Sequence, residues 1–352
     1  MPHSPTFEEL ESRLRTLLPE QYQQTYEDVK PVSMGSAGLK YDREGKVAWD
    51  EMWQSFCDLA MAGGPPHKGT LLEPASPAEI EDHPDRYRWV TEELSRGIEM
   101  VTGLAAFPAD DPDSNSVPGW IQVDCTSLAM TGWLTRAIVM ENISARFEGL
   151  SLFLPAGPYY RVEKETKNVI TSIAKTCHYW LGHTSAEQHR AIGSLFAQMQ
   201  QVSPLLTPVN TVSFRAQRSE EPALSEAERE EPPHFARSAT NPGAPHLEEM
   251  WVSRMKALST LKEKTATAIH QQTGLTPSHH QYSNWLGLQC PDVHSAVWMM
   301  RMLVAANALS RREDTTVFLP INPATDPQGE TALRLATQTH RFATERNILP
   351  AK

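Results

Sequence analysis

Apolar and polar positions fall into blocks along the chain whose spacing predicts regular elements. Residues 6–27 read as an acidic helical lead-in, and residues 29–46 as an irregular segment broken by glycine and proline. From Val47 to Ala62, the residues Trp53, Phe56, Leu59 and Ala60 recur at three- and four-residue steps, which predicts one buried helix face. Gly63-Gly64-Pro65-Pro66 then ends the pattern, because two glycines and two prolines cannot continue a helix. After the turn His67-Lys68-Gly69, the run Thr70–Glu73 predicts a short strand. His83 to Leu104 predicts a helix with Trp89, Leu94 and Ile98 inside.

The next block occurs twice. Trp120–Pro155 aligns with Trp285–Pro320 at a constant shift of 165 residues without a gap, and eleven of the thirty-six positions are identical. The identities include Trp120/Trp285, Cys125/Cys290, Arg136/Arg301, Asn142/Asn307, Arg146/Arg311 and Glu148/Glu313. In the first copy the pattern predicts a strand over Trp120–Asp124, a helix over Ser127–Ile143, a strand over Leu150–Leu154 and a helix over Glu163–Leu181. A strand, a helix and a strand at these lengths predict a parallel pair joined by a right-handed crossover. The second half follows with a helix over Ala186–Val202, a strand over Val209–Phe214, a helix over Leu247–Gln272 and the repeated elements up to about Glu345.

The expected fold is therefore α/β and internally duplicated, with two mainly parallel βαβ-type halves related by a pseudo-twofold and helices covering the sheets. The expected organisation is a lead-in over residues 1–46, a first repeat over 47–183 and a second over 184–352. Residues 216–246, rich in Glu, Pro, Ala and Ser, predict a mobile insertion in the second repeat, because they offer little apolar surface to offset ordering entropy.

Charge narrows the partners. A net charge of -11 argues against nucleic acid or an anionic membrane, since neutralising phosphates needs clustered Lys and Arg. No segment approaches the roughly 20 apolar residues of a membrane span, and the first residues lack a secretory pattern. The four cysteines form no CxxC pair, so neither a disulfide framework nor a cysteine zinc site is indicated. The expectation is a cytoplasmic protein that acts on a small anionic molecule, needs no cofactor and has room to form a homo-oligomer.

Candidate chemistry sits where strands lead into helices. Cys125 precedes Thr126-Ser127 and Cys290 precedes Pro291-Asp292, so each thiol is placed at a helix N-terminus, where the dipole can lower its pKa. Two such thiols facing one substrate suit cofactor-independent proton transfer, as in a racemase, isomerase or lyase, with Asp124 tuning one of them. Gly63, Gly64, His67 and Lys68 form the second candidate, a turn whose histidine and lysine can clamp a carboxylate or phosphate. His178 and His183, five residues apart, fall on different helix faces, unlike a zincin pair, so no metal ligand set is assigned. Two further readings stand beside the enzyme. One is a non-catalytic binding or assembly protein, because many identities between the copies are packing types. The other is a metal or tetrapyrrole handler, which needs histidines from several loops to converge.

Overall fold

The structure is a computed structural model that describes residues 5–24, 38–52, 56–109, 118–209, 245–278 and 282–350. Helix α1 (Phe7–Leu17) begins at Thr6, whose hydroxyl accepts from the Glu9 amide while the Glu9 carboxylate accepts from the Thr6 amide. This reciprocal cap fixes a helix that buries Phe7, Leu10, Leu14 and Leu17. Helices α2 (Pro77–Asp82) and α3 (Pro84–Thr102) precede strands β1 (Ala106–Pro108) and β2 (Trp120–Asp124). Then come α4 (Leu128–Met140), β3 (Arg146–Glu148), β4 (Ser151–Pro155), α5 (Lys167–Gly182) and α6 (Ala186–Val202). The second half comprises α7 (Pro245–Thr273), β5 (Thr276–Pro277), β6 (Trp285–Gln289), α8 (Val293–Ala305), β7 (Arg311–Glu313), β8 (Thr316–Pro320) and α9 (Glu330–Glu345).

The sheets are not the parallel units that the strand–helix–strand spacing predicts. The orders are β1-β2-β4-β3 and β5-β6-β8-β7, and every neighbouring pair is antiparallel. The described residues thus form mixed helix and antiparallel sheet. The reason is β3, a strand too short and polar to show in the apolar pattern. After α4 the chain does return in the direction of β2, but it does so as β3, one place further out. A two-residue turn then reverses it, so β4 inserts between β2 and β3 and runs the other way. Gly149 at φ 56° and Asp314 at φ 48° supply the left-handed residue on which these tight turns rest.

The two ladders match pair for pair at the 165-residue shift, from Trp120↔Pro155 and Trp285↔Pro320 to Asp124↔Ser151 and Gln289↔Thr316. Four of the identical positions build one stack in each sheet. Arg146 lies 3.8 Å from the Phe153 ring and 5.0 Å from Trp120, and pairs with Glu148 at 2.7 Å. Arg311 lies 4.0 Å from Phe318 and 5.0 Å from Trp285, and pairs with Glu313 at 2.6 Å. A guanidinium between aromatic faces keeps its charge while its stem fills the core.

Other expectations are corrected nearby. Val47–Ala62 is not a helix: its described residues hold 3₁₀ turns at Trp49–Glu51 and Ala60–Ala62, with Leu59 extended before the second. Thr70–Glu73 is not a strand, since Leu72 makes a single parallel bridge to Ile143. The π-helical turn Val162–Thr166 leads into α5. The expected strand over Val209–Phe214 and the insertion at 216–246 lie, but for their end residues, outside the described residues.

One buried cluster runs from Phe7 to Leu349 through both halves. Helix α1 helps to join them: its Leu17 carbonyl accepts from Trp133 Nε1 at 2.7 Å, while its Phe7 ring stacks on Trp298. Asn142 and Asn307 follow the caps of α4 and α8 in the left-handed conformation, at φ 62° and 69°, a common helix end for asparagine. Each then receives a guanidinium from the other half, Arg311 on Asn142 Oδ1 at 3.1 Å and Arg136 on Asn307 Oδ1 at 2.8 Å. Among the described residues no helix is long and apolar enough to cross a membrane.

Candidate functional site

The turn at Gly63–Lys68 is built from its glycines outward. Gly63 is left-handed at φ 98°, and a Cβ on Gly64 would lie 2.2 Å from the Asp58 carbonyl oxygen. The close approach that the glycine pair allows is therefore made by the chain's own backbone. Beyond the prolines the turn is pinned to the end of α4. The His67 amide donates to Glu141 Oε2 at 2.9 Å, the Lys68 amide to the Glu141 carbonyl at 3.1 Å, and Asn142 Nδ2 to the Lys68 carbonyl at 2.8 Å. Arg312 reaches across from β7 to the Gly64 carbonyl at 3.2 Å.

Beneath the turn lies a fully buried ion pair. Lys175 Nζ of α5 stands 2.8 Å from Glu141 Oε1, and both side chains are 0% exposed. Burial pulls an ammonium down, but Glu141 and then Cys57 outweigh it and hold Lys175 above the usual lysine range. Glu141 Oε1 also accepts from the Ala60 amide at 2.9 Å. Lys175 Nζ lies 3.4 Å from Cys57 Sγ and 3.5 Å from the Asp58 carbonyl. A line of hydroxyls leads outward from there: Tyr179 donates to the Cys57 carbonyl at 3.3 Å and meets the Tyr22 hydroxyl at 3.0 Å, and Tyr22 donates to the Asp58 carboxylate. Burial, followed by the Asp58 hydrogen bond, raises the Tyr22 phenol above its ordinary range.

His67 itself is pushed down to about 3, first by burial and then by the charges of Lys175, Lys167 and Lys68, against an opposing hydrogen bond to the Asn168 side chain. It stays neutral at pH 7 in a locally positive field. Lys68, Lys167 and Asn168 are half-buried at its edge. Of the residues singled out by sequence, Gly63, Gly64, His67 and Lys68 thus come together with Glu141, Lys175, Lys167 and Asn168.

The two thiols lie in a different setting. Ser127 and Asp292 do cap α4 and α8, by accepting from the Met130 and Ser295 amides. Yet the Cys125 and Cys290 amides are spent on the hairpin carbonyls of Leu150 and Thr315, each at 2.9 Å, and the side chains are 5% and 2% exposed. Burial raises Cys125 to about 11 and Cys290 to about 12, opposite to the helix-end expectation. Asp124 is exposed and interacts with Gln122 and Ser151; its charge pushes the Cys125 thiol up further.

Glu141, Lys175, Tyr22, Tyr179 and Asp58 were not singled out by sequence. No sequence signal marks the central pair: at the 165-residue shift Glu141 stands opposite Ala306 and Lys175 opposite His340, but most other positions differ as well. Compared with protein-family models, with curated proteins and with solved structures, the chain matches none.

Proposed function

We propose that the protein is a non-catalytic binding protein for a small anionic molecule, held at the Lys68–Lys167 edge of the Gly63–Lys68 turn, on a scaffold of two duplicated halves. The observation that carries this reading is the convergence of the Lys68 and Lys167 charges on one half-buried, neutral histidine, in a chain of net charge -11; the Lys175 charge that also acts on His67 is balanced by Glu141. Such a local field attracts an anion that the rest of the surface repels. Asn168, which already bonds His67, adds a polar group at the same edge. Binding is favoured over proton-transfer catalysis because burial holds Cys125 and Cys290 in the thiol form near neutral pH. Four free, buried cysteines fit a cytoplasmic setting.

The test is thermal unfolding with phosphate, pyrophosphate, citrate and a nucleoside triphosphate, each against chloride at equal ionic strength. A ligand at one hundred times its Kd stabilises by about 2.7 kcal/mol. At least one anion should raise the midpoint in a saturable way, and Lys68→Gln with Lys167→Gln should abolish the rise. If no anion exceeds the chloride control, the reading fails.

A further inference from the structure

Helical spacing places His178 and His183 on different faces, but α5 ends at Gly182 and His183 is its cap, at φ -130° and ψ 5°. The ring is therefore free of helical pitch and folds back over the last turn. Its backbone is held on both sides, the amide donating to the Tyr179 carbonyl at 3.0 Å and the carbonyl accepting from the Glu20 amide at 3.4 Å. The His178 ring packs 5.1 Å from Phe56, and the His183 ring 5.0 Å from Tyr179, measured between centroids. As a result the two Nε2 atoms face each other at 3.1 Å.

Two imidazole nitrogens on one zinc ion, each about 2.0–2.1 Å from it, lie about 2.8–3.4 Å apart for angles between octahedral and tetrahedral. The observed separation falls inside that interval. His178 is exposed and His183 half-buried, which leaves the outward side of the pair open to water. We propose that His178 and His183 form a two-histidine site for a divalent first-row transition ion such as Zn2+ or Ni2+, with water completing the coordination. The Nε2–Nε2 hydrogen bond is its metal-free form; on binding, the donor ring's proton moves to its Nδ1 and the ion sits to the side of the Nε2–Nε2 line, bonded to both. Among the described residues no group of three or more His, Cys, Asp or Glu has metal-holding geometry, so the site is bidentate. It does not depend on the anion reading.

The experiment is calorimetric titration of the untagged full-length chain with ZnCl2 in a non-chelating buffer, beside His178→Gln, His183→Gln and His189→Gln. The last is a control, since His189 stacks on Trp180 and bonds Thr184. Zinc should bind the wild type with a component that weakens at least about tenfold in either of the first two variants and is unchanged in the third. The 15N resonances of both Nε2 atoms should shift together as zinc is added. Absence of zinc binding, binding that survives either His178→Gln or His183→Gln, or a shift at one ring alone overturns the site.

Discussion

Replacing Lys175 by methionine isolates the buried pair, because methionine keeps most of the side-chain volume and removes the charge. Glu141 then has no ammonium at 2.8 Å, though it keeps the amides of Ala60 and His67. Breaking one side of a buried pair costs about 3–5 kcal/mol, and the two remaining donors place this case near the lower end, about 3 kcal/mol. With a urea slope of about 3 kcal/mol per molar, the midpoint should fall by about 1 M. Urea unfolding followed by tryptophan fluorescence reads the effect. Adding Glu141→Gln to Lys175→Met removes the uncompensated charge and should restore part of the loss. A double variant no better than the single one, or a single variant within about 0.2 M of wild type, refutes the electrostatic account.

His67 is depressed from 6.5 to about 3, so the unfolded chain binds the extra proton and stability falls as pH drops from about 6.5 toward 3. The slope reaches about 1.4 kcal/mol per pH unit, and His67→Gln should flatten it between pH 6.5 and 5; parallel curves would discard the assignment. Gly64→Ala drives a methyl into the Asp58 carbonyl, whereas Gly149→Ala meets open space and bears only left-handed strain. Gly149→Ala should cost about 1 kcal/mol and Gly64→Ala clearly more, and equal unfolding midpoints would contradict the packing described. Cys125 and Cys290, raised to about 11 and 12, should resist iodoacetamide in the native protein at pH 7.5. Peptide mass spectrometry showing either one alkylated as fast as in urea would mean that the thiols are not sealed.

The sequence shows elements better than connections. Trp120–Asp124, Ala186–Val202 and Trp285–Gln289 are legible because their apolar spacing is the spacing of their burial. Strand direction is not, since it hangs on Arg146–Glu148, where the arginine lies over aromatic rings, the glutamate pairs with it, and no apolar run marks a strand. The region 47–62 misleads for a related reason. Trp53 lies outside the described residues; Trp49, Met52, Leu59 and Met61 are buried, but in a loop of 3₁₀ turns packed under the rest of the chain, and burial alone carries no helical period. The glycine–proline turn is legible as a candidate because its residue types are unusual. Lys175 is not, since a lysine in a helix ordinarily points to water, and only the fold reveals Glu141 opposite it.

The buried arginines that join the halves end on two kinds of acceptor. Arg136 and Arg311 need asparagine side chains, while Arg301 ends on the Met61 carbonyl and Arg312 on the Gly64 carbonyl. A backbone carbonyl survives nearly any substitution that leaves the chain's path intact, whereas a guanidinium has no substitute of equal reach and shape. Mutational tolerance should therefore be lopsided across this junction. A side-chain change at Met61 that the surrounding core can absorb leaves this hydrogen bond in place, whereas no change at Arg301 does.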